Sequence, residues 1–250
     1  MPSMDVTKAS YRDRLYARYG HDFQDAGERF DREGAVRWGR AIAYHLRGWI
    51  PSKKDAHILD LACGAGRLLF FFSERGYTNL TGVDISPDQI ALAGQVTPDV
   101  RHESVLDHLE SHRDSYDLIT GYDIIEHFEK DEALRFLDGC VAALRPGGRM
   151  ILQTPNADSP WAASVRYGDF THEICFNPNS LMRLMRMAGF LEIEAREAGP
   201  VPMGNSLTSS ARYLIWQGIR ALLRLWNLAE TGAAGSGVWT RVFLISGIKK

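Results

Sequence analysis

The stretch His57–Leu68, HILDLACGAGRL, restricts the possible folds more than any other part of this 250-residue chain. It begins as a short apolar run closed by Asp60, passes through Gly64 and Gly66, and enters the apolar segment Leu68–Phe72. A bounded apolar run, a glycine turn and a second apolar run predict a buried strand, a tight bend and a packed helix. Glycine carries no Cβ, so the bend can be sharp and the backbone can come close to a ligand. The first N–H groups of the helix that follows lack partners of their own. Leu80–Ser86, LTGVDIS, reads as a second short strand ending in an acid, Asp84. It lies about 20 residues past the glycines, where doubly wound folds place the carboxylate that accepts from ribose hydroxyls.

Two later segments continue the pattern. YDLITGYDIIEHF, at 116–128, is a strand running into a polar turn, and LRPGGRMILQTPN, at 144–156, is a turn running into a strand. These four motifs, in this order, resemble the class I S-adenosylmethionine-dependent methyltransferases over about residues 55–195. A dinucleotide dehydrogenase would more often carry a third glycine where Leu69 stands. The resemblance implies an α/β fold: a Rossmann-like, seven-stranded, mostly parallel sheet with helices on both faces. It implies S-adenosyl-L-methionine as cofactor, held by Asp60, Ala62, Gly64, Gly66, Asp84, Ile85, Ser104, Val105 and Tyr122. Ala62 replaces the family's usual glycine, a change expected to narrow the turn without closing it. Asp84 is expected to be open to the ribose because Ser86 is the better cap for the next helix. Ile85 lies either on the adenine face or in the core. Ser104 stands near the position where many members carry an aspartate for the adenine amino group, with the Val105 N–H beside it.

Ligands in such sheets sit outside the carboxyl ends of the strands, which puts Asp123, Glu126 and His127 next to the reacting groups. The D-x-x-E-H spacing resembles the E-x-x-E-H segment of ubiquinone-biosynthesis O-methyltransferases, which implies a divalent cation such as magnesium on Asp123, Glu126 and His127. The alternative is that Glu126 and His127 open a helix and bond to backbone. In the long polar loop 155–173, His172 is a candidate general base, with Glu173 or Asp169 to orient it and His127 as a further catalytic candidate. The competing role for His172 is to cap the helix opening near Asn177–Ser180. The segments DFTHE and FNPNSL resemble methyltransferases of bacterial polysaccharide and lipopolysaccharide assembly, which implies a sugar hydroxyl of a glycan or glycoconjugate as acceptor. Two alternatives stay open: O-methylation of a quinone or other small molecule, and a non-catalytic protein that binds S-adenosylmethionine.

The length suits one methyltransferase domain, 1–250, with two additions. An N-terminal helical cap, 1–52, carries Tyr11, Tyr16 and Tyr19, one of which closes the cofactor site if the resemblance holds. A helical insertion, 199–238, precedes the last strand. Within it 206–228 forms a helix with Tyr213, Gln217, Arg220, Arg224 and Asn227 on one stripe and a broad apolar remainder. That remainder packs on its own domain or across a homodimer; the other reading sets 207–228 against a membrane surface, with Trp216 and Trp226 flanked by Arg212, Arg220 and Arg224. A formal charge of −2 leaves no broad basic surface for nucleic acid. Cys63, Cys140 and Cys175 are too scattered for a zinc cluster or a disulfide framework. A cytoplasmic enzyme fits best, at the membrane's inner face if the inserted helix touches lipid. The N-terminus lacks a secretory pattern, and the chain contains no apolar run of about 20 residues that would span a bilayer.

Overall fold

The computed structural model describes residues 11–16, 29–202 and 207–250. Seven strands form one sheet: β1 His57–Leu61, β2 Asn79–Asp84, β3 Val100–His102, β4 Tyr116–Tyr122, β5 Leu144–Pro155, β6 Phe190–Glu197 and β7 Val242–Lys249. Their order is β3-β2-β1-β4-β5-β7-β6, with β1 to β5 parallel and β7 antiparallel to both neighbours. The helices are α1 Tyr11–Tyr16, α2 Arg32–His45, α3 Arg67–Ser73, α4 Pro87–Ala93, α5 Val105–Ser111, α6 Lys130–Ala143, α7 Ala162–Arg166, α8 Pro178–Ala188 and α9 Leu207–Thr231. The expected fold class, including the helices before β1 and the helical insertion before β7, is the one observed.

Side-chain alternation explains the layers. Ile58 joins one apolar cluster and its neighbour Leu59 the other, so β1 is covered on both faces. One face packs Ile42 of α2 and Leu46 just after it with Leu69 and Phe72 of α3; the other packs Leu109 of α5, Phe136 of α6 and Met185 of α8. Burial on both sides is why β1 and β4 read as nearly continuous apolar runs. The run Leu68–Phe72 is buried throughout and pins α3 under the sheet.

Two expectations need correction. Arg145–Gly148 is not a turn ahead of β5 but an irregularity within it: pairing with β4 begins at Tyr116↔Leu144 and shifts before Leu118↔Arg149, with Gly147 at φ +77°. The inserted helix begins at Leu207 within the described residues, Ser206 lying outside them, and no residue of it is buried. Its polar stripe, with Tyr213, Gln217, Arg220 and Asn227 half-buried, is turned to the protein, and most of its large apolar side chains are exposed. It does not pack an apolar face on its own domain.

Candidate functional site

The strand order reverses direction between β1 and β4, and the loops leaving the carboxyl ends of these neighbours define a crevice. The bend after β1 takes left-handed backbone at Ala62 (φ +53°), Gly64 (φ +52°) and Gly66 (φ +82°). The two glycines do different work. A Cβ on Gly66 would lie 3.1 Å from Ala93 Cα, so its bareness lets α4 pack against the bend rather than admitting a ligand. A Cβ on Gly64 would meet only Gln89 Oε1, at 3.7 Å, which leaves that side of the turn open. Gly82, inside β2, is a third requirement: a Cβ there would come within 2.7 Å of Leu69 Cδ1 and 2.9 Å of Cys63 Sγ. Its sequence signal was a glycine in a strand interior.

Asp84 and Asp60 end adjacent strands. Asp84 accepts the Gly64 N–H through Oδ2 and the Ser86 N–H through Oδ1, both at 2.8 Å, so it already ties the bend to the β2 end. The Ser86 hydroxyl makes no cap bond, contrary to expectation. The Ile85 N–H bonds to the same carboxylate, and the acceptor capacity that remains is available to a further donor. Asp60 is buried and accepts the Thr120 hydroxyl at 2.7 Å; burial pushes its pKa up to about 7. Ile85 is 52 % exposed, which removes its core reading. Ser104 caps α5, accepting the Leu106 N–H at 3.3 Å, and Val105 is buried in the first turn. Tyr122 sets its ring edge-on to Trp38 at 6.3 Å, and its hydroxyl is sealed from solvent without a hydrogen-bond partner.

At the end of β4, Asp123 takes φ +52° and accepts from the Gln153 amide at 3.0 and 3.1 Å. Glu126 is fully buried; Oε2 accepts the Thr154 hydroxyl at 2.9 Å and Oε1 has no partner. Burial, reinforced by Asp123, pushes the pKa of the Glu126 carboxyl well above the usual carboxylate range. Its backbone carbonyl accepts the N–H groups of Glu173 at 2.8 Å and Ile174 at 3.1 Å, which ties the loop carrying His172 to the turn after β4. His127 contacts the Thr171 hydroxyl through Nδ1 at 2.9 Å, and burial together with His172 lowers its pKa to about 4.

His172 lies 4.8 Å, ring to ring, from His127. Its Nδ1 is 3.1 Å from the Val165 carbonyl, which can only accept, so Nδ1 is the donor, and in the neutral ring Nε2 is the nitrogen that can accept a proton. The helix-cap reading of His172 falls, because Asn177 and Ser180 cap α8 reciprocally. Glu173 does not orient His172 either: its carboxylate accepts the Tyr11 hydroxyl. Tyr11 also packs edge-on to Phe170 at 6.3 Å, while Arg12 reaches Glu132 at 2.8 Å and the His127 carbonyl at 3.0 Å, so α1 lies over this loop. Of the other two cap tyrosines, Tyr19 lies outside the described residues and only the backbone of Tyr16 is described.

The expected cation set is redrawn. Glu126 and His127 meet His172, their ligand atoms within 4.8 Å of one another, whereas Asp123 turns to Gln153. Two imidazoles and a single carboxyl suit magnesium poorly, since it is held mainly by oxygen ligands. Gln153 also lines a cleft of about 690 Å³ whose walls include Trp38, Trp161, Trp216, Trp239, Arg212 and Arg241. Among the described residues no carboxylate lines it. The buried Trp239 indole N–H has no partner, and Arg241 lies 5.6 Å over the Trp161 ring.

A methyltransferase-domain family model matches residues 18–194. The chain belongs to that family. The methyltransferase is 28 % identical over 155 residues to a ubiquinone biosynthesis O-methyltransferase of Hydrogenovibrio crunogenus, covering 55 % of this chain and 63 % of that protein. It is 27 % identical over 175 residues to the protein of the same name in Pectobacterium atrosepticum, covering 62 % and 71 %. The match thus spans less than two thirds of the first relative's length. Among solved structures, an S-adenosylmethionine-dependent methyltransferase from Archaeoglobus fulgidus shares the fold with a TM-score of 0.62 at 19 % identity, covering 96 % of this chain and 100 % of that one. The crevice has features that suit S-adenosylmethionine: an open Gly64 turn, acids at the ends of two adjacent strands, and exposed apolar Ile85 beside them.

Proposed function

We propose that this methyltransferase moves the methyl group of S-adenosylmethionine to an oxygen of an acceptor seated in the tryptophan-lined cleft. Asp84 would receive the ribose hydroxyls, Ile85 would lie against the adenine, and Asp60 would face the positive end of the cofactor. When bound, the cofactor supplies an electrophilic methyl on its sulfonium, and no covalent enzyme intermediate is required. The chain's own task is to align the acceptor and remove its proton. The observation that carries this reading is the placement of His172, its Nδ1 against the Val165 carbonyl, on a loop tied through the Glu126 carbonyl to the turn after β4. His127, held neutral with a pKa near 4, is the weaker base.

For the acceptor, the walls favour an aromatic hydroxyl over a free sugar. Four indoles offer apolar faces, and a phenol, with a pKa near 10, gives up its proton far more readily than an alcohol. The names of the relatives support a quinone-type acceptor; the glycan reading rests on the loop resemblance alone. A labelled methyl donor offered with catechol-type phenols and, separately, with glycans tests the choice. Label in the phenol pool is the expected outcome. Label confined to glycans would reverse the assignment, and label in neither, with cofactor bound, would favour a binding protein.

A further inference from the structure

The inserted helix α9 is built inside out. Leu214, Ile219, Leu222, Leu225, Trp226 and Leu228 are exposed, Leu222 by 68 % and Trp226 by 69 %. At 3.6 residues per turn they spread over about half the circumference. No charged residue stands within that arc; Arg212 and Glu230 stand just beyond one edge and Arg224 just beyond the other. Neither arginine forms an ion pair among the described residues, and Glu230, in the last turn, accepts the Trp226 indole N–H at 3.1 Å.

We propose that α9 docks this protein on an anionic lipid surface. The width of the arc selects the occupant. A helix pair buries a narrow seam and would leave much of this face in water, whereas a lipid–water boundary immerses half a cylinder at once. Flanking arginines then lay their apolar stems along the boundary and meet anionic headgroups. Among the described residues no helix is long and apolar enough to cross a membrane, so α9 lies in the boundary plane. Arg212 and Trp216 also line the tryptophan cleft, so docking sets the cleft beside the lipid and opens it to amphiphilic acceptors. This last consequence rests on the proposed role of the cleft; the docking does not.

The test is flotation with vesicles of phosphatidylcholine alone and with phosphatidylglycerol added, using no methyl acceptor. The full chain is expected to float with the anionic vesicles and to release as salt rises. Leu222→Glu combined with Leu225→Glu is expected to lower the bound fraction more than about tenfold, and Arg224→Ala to lower it about fivefold. Unchanged melting curves and unchanged turnover on a water-soluble phenol would show that the double variant is folded. Failure to float with either vesicle, or flotation of the double variant equal to the parent, overturns the proposal. So does a solution dimer that the double variant dissociates, which would assign the face to a second copy.

Discussion

At Ala62 a side chain occupies left-handed backbone in the bend where the family usually has glycine. Such a conformation is strained for a residue with a Cβ. Ala62→Gly is therefore expected to stabilise the protein by about 1 kcal/mol, read from the denaturant midpoint. Asp60 makes a prediction about pH. Its folded pKa, near 7, lies above the value near 4 of an unfolded aspartate, so the folded state holds the extra proton between these limits. Its contribution is fully present below about pH 4 and is lost as pH rises to about 7. Asp60→Asn should flatten that part of the stability profile by a few kcal/mol; an unaltered slope would show that Asp60 is ionised in the fold. His172→Gln is expected to lower kcat by about 100-fold or more while cofactor affinity holds, and turnover at the parent rate would remove it from the mechanism. Individual acids and histidines were legible as candidates, but their partners were not. Nothing local in the sequence links Tyr11 to Glu173, or gives Gly64 to Asp84, because those bonds depend on how distant segments are folded together.

The elements were legible wherever a period was clean. The apolar runs of β1, β2 and β4 and the glycine bend follow from burial on both faces and from positive φ, and both leave marks in sequence. Arg145–Gly148 misled because proline and glycines signal a turn equally well when they form an irregularity inside a strand. For α9 the stripe was legible but not its direction: an amphipathic pattern separates two faces without saying which one meets the body. At the other end of the chain, α1 is short, and Arg12 ties it to Glu132. Arg12→Ala should speed amide exchange across 11–16 and reduce turnover severalfold, with little change in global melting. Equal exchange in variant and parent would deny Arg12 its role as the fastening of this cap.

Taken whole, the molecule sets a cofactor crevice at β1, β2 and β4 beside an aromatic cleft bordered by the inserted helix, with Gln153 common to cleft and reacting edge. The cluster of ligating side chains found among the described residues, Glu126, His127 and His172, offers a single carboxyl and suits magnesium poorly, so turnover should be unchanged after treatment with a strong chelator; loss of activity restored by magnesium would overturn the donor assignment. The central claim is that the Gly64 turn and the Asp84 carboxylate hold S-adenosylmethionine. Calorimetric titration of the parent and of Asp84→Ala with that cofactor tests it most directly. The parent should bind in roughly the micromolar range, and loss of two charge-assisted hydrogen bonds should weaken the variant about 100-fold or more. Undiminished affinity in a folded Asp84→Ala protein would contradict the placement of the cofactor.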